Sequence, residues 1–134
     1  MSDARADAAA ALAGVWLLVE YRDRASVDDP WFEPYGSLTG MFVYDSAGHL
    51  SVHVAPGPDA PEGAEYFGYF GTWSVAEARV DGAAITGVVL HVMTGASAPF
   101  LLDDPPERRF RLEGDTLFIC DDATWRRRLV RPTA

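Results

Sequence analysis

YFGYFGTWSVAEARVDGAAITGVVLHVMT, residues 66–94, decides how this chain folds. Two long runs of β-forming residues meet at Asp81-Gly82, a pair suited to a tight hairpin turn whose central residues both need φ > 0. Aromatic residues crowd the first run, and one histidine, His91, sits deep in the second. The two runs, Tyr66–Arg79 and Ala83–Thr94, are the fourth and fifth of a series of strands.

Upstream, Val15–Arg24, Met41–Tyr44 and Leu50–Ala55 read as strands, the last two joined by the turn Asp45-Ser46-Ala47-Gly48. Downstream, Arg108–Glu113 and Thr116–Asp121 flank Gly114-Asp115, and Trp125–Arg131 closes the series before Pro132. Ala4–Ala13 reads as a short helix, capped by Ser2 or Asp3 and stopped at Gly14. The connections alternate. Residues 23–37, 56–65 and 96–107 are long links, with a short one at 121–123, whereas Ser46-Ala47, Asp81-Gly82 and Gly114-Asp115 are tight turns. In a meander, alternate links fall on opposite rims. The pattern therefore predicts an all-β, eight-stranded antiparallel up-and-down barrel with a decorated mouth and a closed floor. Residues 1–134 form one domain on this reading, a helix over 1–13 and a barrel over 14–131.

Composition excludes several functions. The chain of 134 residues is 49% hydrophobic, enough for one core or one lined cavity, and carries a formal charge of −9. That charge argues against nucleic acid, whose phosphates need a basic field, and against anionic membrane surfaces. Cys120 is the only cysteine, which rules out an internal disulfide framework and suits a reducing compartment. The apolar run Val15–Val19 is stopped by Glu20, and no export signal is visible, so a cytoplasmic location is expected.

Strand alternation nominates the interior. Trp16, Leu18 and Glu20 share one face, as do Tyr69, Gly71 and Trp73, and Val89, His91 and Met93. An apolar and aromatic interior with a few polar groups suits one small apolar or aromatic ligand. Candidate catalytic residues are His91, Tyr69, Glu20 and Arg108, with histidine the side chain best poised for proton transfer near neutral pH. Candidate ligand-binding residues are Phe42, Tyr44, His53, Trp73 and Met93 inside, with Trp31, Phe32, Tyr35 and Phe100 in the mouth loops as lid or entrance wall. The plainer alternatives are a hydrogen-bonded core histidine and rings that simply fill the barrel's end.

No metal or other cofactor is expected. His49 and His53 stand four residues apart on a strand, roughly 13 Å, too far to share a zinc ion. Arg126-Arg127-Arg128 and Arg108-Arg109-Arg111 read as solvated outer wall, except that Arg108 enters its strand at the mouth. There it can anchor a carboxylate or enolate, or serve a structural salt bridge. Val15, Leu17, Val19 and Tyr21 make the other face of the first strand too apolar for solvent, which predicts cover by the alanine helix or by a second subunit in a homodimer.

Leu12-Ala13-Gly14-Val15-Trp16 resembles the Gly-x-Trp start of the lipocalin-like (calycin) families. Tyr44-Asp45…Gly48-His49-Leu50-Ser51, Tyr66…Tyr69…Gly71…Trp73, His91-Val92 and Pro99…Arg108…Gly114-Asp115…Leu117 are similar to motifs of the bacterial lipocalin-like domain family, departing from it at Leu90 and Met93. The resemblance implies a barrel that binds small molecules, with Trp16 on the floor beneath an arginine of the last strand, Arg128 or Arg131. Two functions follow as expectations: a cofactor-free isomerase, cyclase or dehydratase of a natural-product pathway, or a carrier that performs no chemistry. A third is a filled barrel acting only as an interaction partner.

Overall fold

A computed structural model describes residues 3–121 and 123–133; Ser2 and Asp122 lie outside the described residues. Helix α1 (Ala4–Leu12) precedes eight strands: β1 (Gly14–Asp23), β2 (Leu38–Tyr44), β3 (His49–Pro56), β4 (Phe67–Asp81), β5 (Ala84–Ala96), β6 (Glu107–Glu113), β7 (Thr116–Cys120) and β8 (Trp125–Val130). Each strand pairs with the next, and β1 pairs with β8, so the sheet closes into the expected antiparallel barrel. A short 3₁₀ turn, Pro99–Asp103, is the only further helical element among the described residues. The tight turns gather at one rim and the three long links at the other.

The floor is built by α1 and the residues that follow it. Asp3 caps the helix by accepting from the Arg5 amide. Gly14, at φ 116°, reverses the chain into β1, and a Cβ there would stand 2.8 Å from Arg131 Nη1. The guanidinium of Arg131 lies 3.8 Å from the Trp16 ring centroid, while Trp16 Nε1 donates to the Leu12 carbonyl at 2.9 Å. Of the two arginines expected over Trp16, Arg131 takes the place. Arg128 turns to the outer wall instead, where it meets Glu20.

The cover expected over the outer face of β1 is absent from α1. The helix packs against β4 at the floor, and Val19 remains 44% exposed. Only three of the four residues expected on that face are there. The β1–β8 register slips between Leu18 and Glu20, leaving Val19 as a bulge. One extra residue inverts the alternation beyond it. Tyr21 therefore turns inward and Glu20 outward, the reverse of the simple count from Trp16.

Candidate functional site

The lower half of the barrel is filled by Trp16, Leu50, Leu112, Leu117 and Leu129, all buried. The upper half holds a cavity of about 830 Å³ that opens at the mouth, within the range of sites for drug-sized molecules. Phe42 of β2, Val52 and Val54 of β3, Phe67 of β4 and Ile119 of β7 supply its apolar wall. Tyr69 of β4, His91 of β5 and Arg108 of β6 supply polar groups.

His91 is the hub of the inner end. It is 1% exposed, and its two ring nitrogens face two phenols. Nε2 lies 2.7 Å from the Tyr44 hydroxyl and Nδ1 lies 2.9 Å from the Tyr69 hydroxyl. Burial, reinforced by the nearby charge of Arg108, holds the imidazole pKa down at about 3, so the ring is neutral at ordinary pH. Burial pushes the Tyr69 phenol up to about 12 against the opposing charge and hydrogen bonding of Arg108. Burial also drives Tyr44 well above its usual value, with Tyr69 adding to the shift. Each group is thus uncharged. Arg108 shares the inward face of β6 with Phe110 and Leu112 and gives hydrogen bonds to the backbone oxygens of Pro105 and Glu107.

Nearer the mouth stands a second cluster. Arg127, its side chain 14% exposed, pairs with Asp23 at 2.9 Å and lies 3.4 Å from the Tyr21 ring centroid. Tyr21 also meets the rings of Tyr35 and Phe67 at 5.7 and 6.4 Å. Neither Arg127 nor Tyr21 was expected inside. Counting back by two from buried Leu129 along β8 places Arg127 and Trp125 on the inner face, a signal that the run of three arginines obscured.

Of the four residues expected to act together, His91, Tyr69 and Arg108 converge. Glu20 does not. Its carboxylate sits on the outer wall, 3.2 Å from Arg126, 3.1 Å from Arg128 and 3.5 Å from Arg22. Among the expected ligand contacts, Phe42, Tyr35 and Phe100 line the cavity. Tyr44 reaches it only through His91. Trp73 faces inward but lies below, giving its Nε1–H to the Asp45 carbonyl at 2.8 Å and packing on Tyr44 at 5.0 Å. Met93 packs against the core outside the cavity wall.

His53 points outward, bonded to Ser51 Oγ at 2.8 Å and to the Tyr66 hydroxyl. Trp31 lies on the flank of the mouth beneath Arg24 and Arg126, at 4.1 and 5.1 Å. Phe32 bridges to the backbone of Asp23 at the edge of the sheet and stays exposed. Gly71, on the face of Tyr69 and Trp73, is required by the neighbouring strand: a Cβ there would lie 1.9 Å from the Val92 carbonyl oxygen.

Among the described residues, no group of three or more His, Cys, Asp or Glu side chains could hold a metal ion. Nor is any described helix long and apolar enough to cross a membrane. The fold and site define a closed eight-stranded barrel with a cavity open at the mouth and a buried, hydrogen-bonded Tyr44–His91–Tyr69 chain at its inner end. Comparison with known proteins gives no matching family model, curated protein or solved structure.

Proposed function

We propose that this barrel encloses one small apolar or aromatic molecule and catalyses a cofactor-free isomerisation, cyclisation or dehydration, of the kind used in natural-product pathways. The observation that carries the reading is the convergence of Tyr69, His91 and Arg108 on one cavity of about 830 Å³ whose wall also carries Phe42, Val52, Val54, Phe67 and Ile119. A dry wall holds the substrate in a reactive geometry, and the polar end stabilises charge as it develops on an oxygen. The resemblance to lipocalin-like domains points the same way. Proton transfer passes through Tyr69; Glu20, on the outer wall, has no part in it.

The second reading, a carrier without chemistry, is favoured by the same enclosure and by the neutrality of His91. Trp125 lines the cavity and reports on both. Quenching of its fluorescence by a candidate intermediate, followed by conversion, supports the enzyme; quenching with no conversion over hours supports the carrier. Full activity in a His91→Ala, Tyr69→Phe double variant removes the catalytic assignment. A cytoplasmic location accords with the lone cysteine. Self-association fits the apolar surface around Val19 and Met41, which are 44% and 41% exposed. A monomer in sedimentation discards that part.

A further inference from the structure

The hydrogens at the inner end of the cavity are not interchangeable. A neutral imidazole has one N–H and one bare lone pair. Because a phenol faces each ring nitrogen of His91, one tyrosine must give a proton to the ring and the other must accept one from it. Tyr44 is fully buried, stands outside the cavity wall and, among the described residues, has His91 as its hydrogen-bond partner. If Tyr44 accepted, its own O–H would be buried with no acceptor, an arrangement disfavoured on the order of tenfold or more. Tyr44 therefore donates to Nε2, and the ring proton sits on Nδ1 and is donated to Tyr69. The Tyr69 oxygen is thereby an acceptor toward His91, and its proton is turned to the cavity it lines.

Arg108 is the other donor beside Tyr69. Among the described residues no carboxylate lies within ion-pairing distance of its guanidinium, whereas Arg127, nearer the mouth, is neutralised by Asp23 at 2.9 Å. We infer that the inner end of the cavity is a donor-only site that selects ligands bearing a single anionic oxygen (phenolate, enolate or carboxylate) on an apolar body, with Tyr44 and His91 as positioning residues that fix the direction of the Tyr69 proton. The inference rests on the cavity-binding reading above and names the class of molecule it takes. Glu65, Asp104 and Glu107 also line the cavity, and the charge of Asp104 reaches Tyr69, so the positive field is confined to the Arg108 guanidinium and suits one anionic oxygen rather than a diacid. Burial keeps His91 and Tyr69 uncharged at neutral pH, so the site offers donors without ionising itself.

4-Nitrophenol and 4-nitroanisole test this directly, since they share a body and differ in the ionisable oxygen. Wild-type protein is expected to bind the phenol as phenolate below the phenol's own pKa, read from the phenolate absorption band, and on the order of tenfold more tightly than the anisole. Tyr69→Phe and Arg108→Gln each remove a preference of about that size. Tyr44→Phe, remote from the ligand, weakens the phenolate preference while leaving anisole binding intact.

The ¹⁵N shifts of the His91 ring in the unaltered protein should report a protonated Nδ1, a result that stands even if a variant fails to fold. A protonated Nε2, or equal binding of the two probes, overturns the inference and leaves the cavity reading intact. Binding of neither probe removes both.

Discussion

Floor and mouth of this barrel are made from the same eight strands and put their polar atoms to opposite uses. At the floor, side-chain donors are spent on backbone carbonyls of the chain itself. Trp16 donates to Leu12 at 2.9 Å, Arg131 Nη2 to the Ala11 carbonyl at 2.6 Å, and Trp73 to Asp45 at 2.8 Å. Around those bonds the interior is filled by Trp16, Leu50, Leu117 and Leu129. In the upper half, Tyr69 bonds to His91 at 2.9 Å and Arg108 to the carbonyls of Pro105 and Glu107, and both side chains also line the cavity. Buried donors are normally satisfied, because leaving one unmade costs about 1–3 kcal/mol. A donor on a cavity wall stays within reach of a guest, whereas a donor packed into the floor does not. Apolar content therefore does not separate core from site here; the surroundings of each donor do.

Substitution on either side of the divide should sharpen it. The largest effect belongs to the floor: Trp16→Ala removes the ring between α1 and Arg131 and is expected to cost about 3–5 kcal/mol in denaturant unfolding. A loss below 1 kcal/mol would show that the floor is not the stabilising half. Next, the pH dependence of stability separates buried from paired groups. His91 titrates at about 3 when folded, against an ordinary value of 6.5. A folded pKa below the unfolded one means that the unfolded chain binds the proton first. Stability is therefore complete above 6.5 and falls as pH drops toward 3, at up to about 1.4 kcal/mol per pH unit. His91→Gln should flatten the slope between those limits.

Asp121 at the β7–β8 link acts lower on the scale. Burial works to raise its pKa, but hydrogen bonds from Thr124, Trp125 and Ala123 bring it down to about 2 from an ordinary 3.8. Its contribution is present above 3.8 and disappears as pH falls to about 2, so Asp121→Asn should remove a late step of acid unfolding and leave the His91 window unchanged. The smallest effect is expected at Glu20. Glu20→Gln loosens an outer-wall cluster of three arginines, costs on the order of 1 kcal/mol or less, and leaves ligand binding unaltered. A loss of binding in that variant would place Glu20 in the site after all.

Much of the architecture was legible in the sequence because turn chemistry is local. Asp81-Gly82, Gly114-Asp115 and the turn ending at Gly48 each announce a hairpin, and the alternation of short and long links then closes the barrel. Strand ends were less legible. β2 starts at Leu38, three residues before the expected Met41, since ladder pairing with Pro56 and Ala55 extends it where no turn signal marks a boundary. The site was half legible for a different reason. His91 and Tyr69 follow from alternation along β5 and β4, and Arg108 from its place where β6 leaves the mouth link. Glu20 and Tyr21 were exchanged by the bulge at Val19, which is set by pairing with β8, over a hundred residues away. No periodicity within β1 records that slip. Arg127 was hidden by identical neighbours, and the Tyr44 partnership required knowing that β2 and β5 face one another across the interior.

The central claim is that only the upper half of the barrel receives a ligand. Amide chemical-shift mapping during titration with 4-nitrophenol tests it most directly. Shifts are expected at Phe42, Val52, Tyr69, His91 and Ile119, with Leu117, Leu129 and Trp16 unmoved. Shifts centred on the floor, or on the outer wall around Val19 and Glu20, would contradict it.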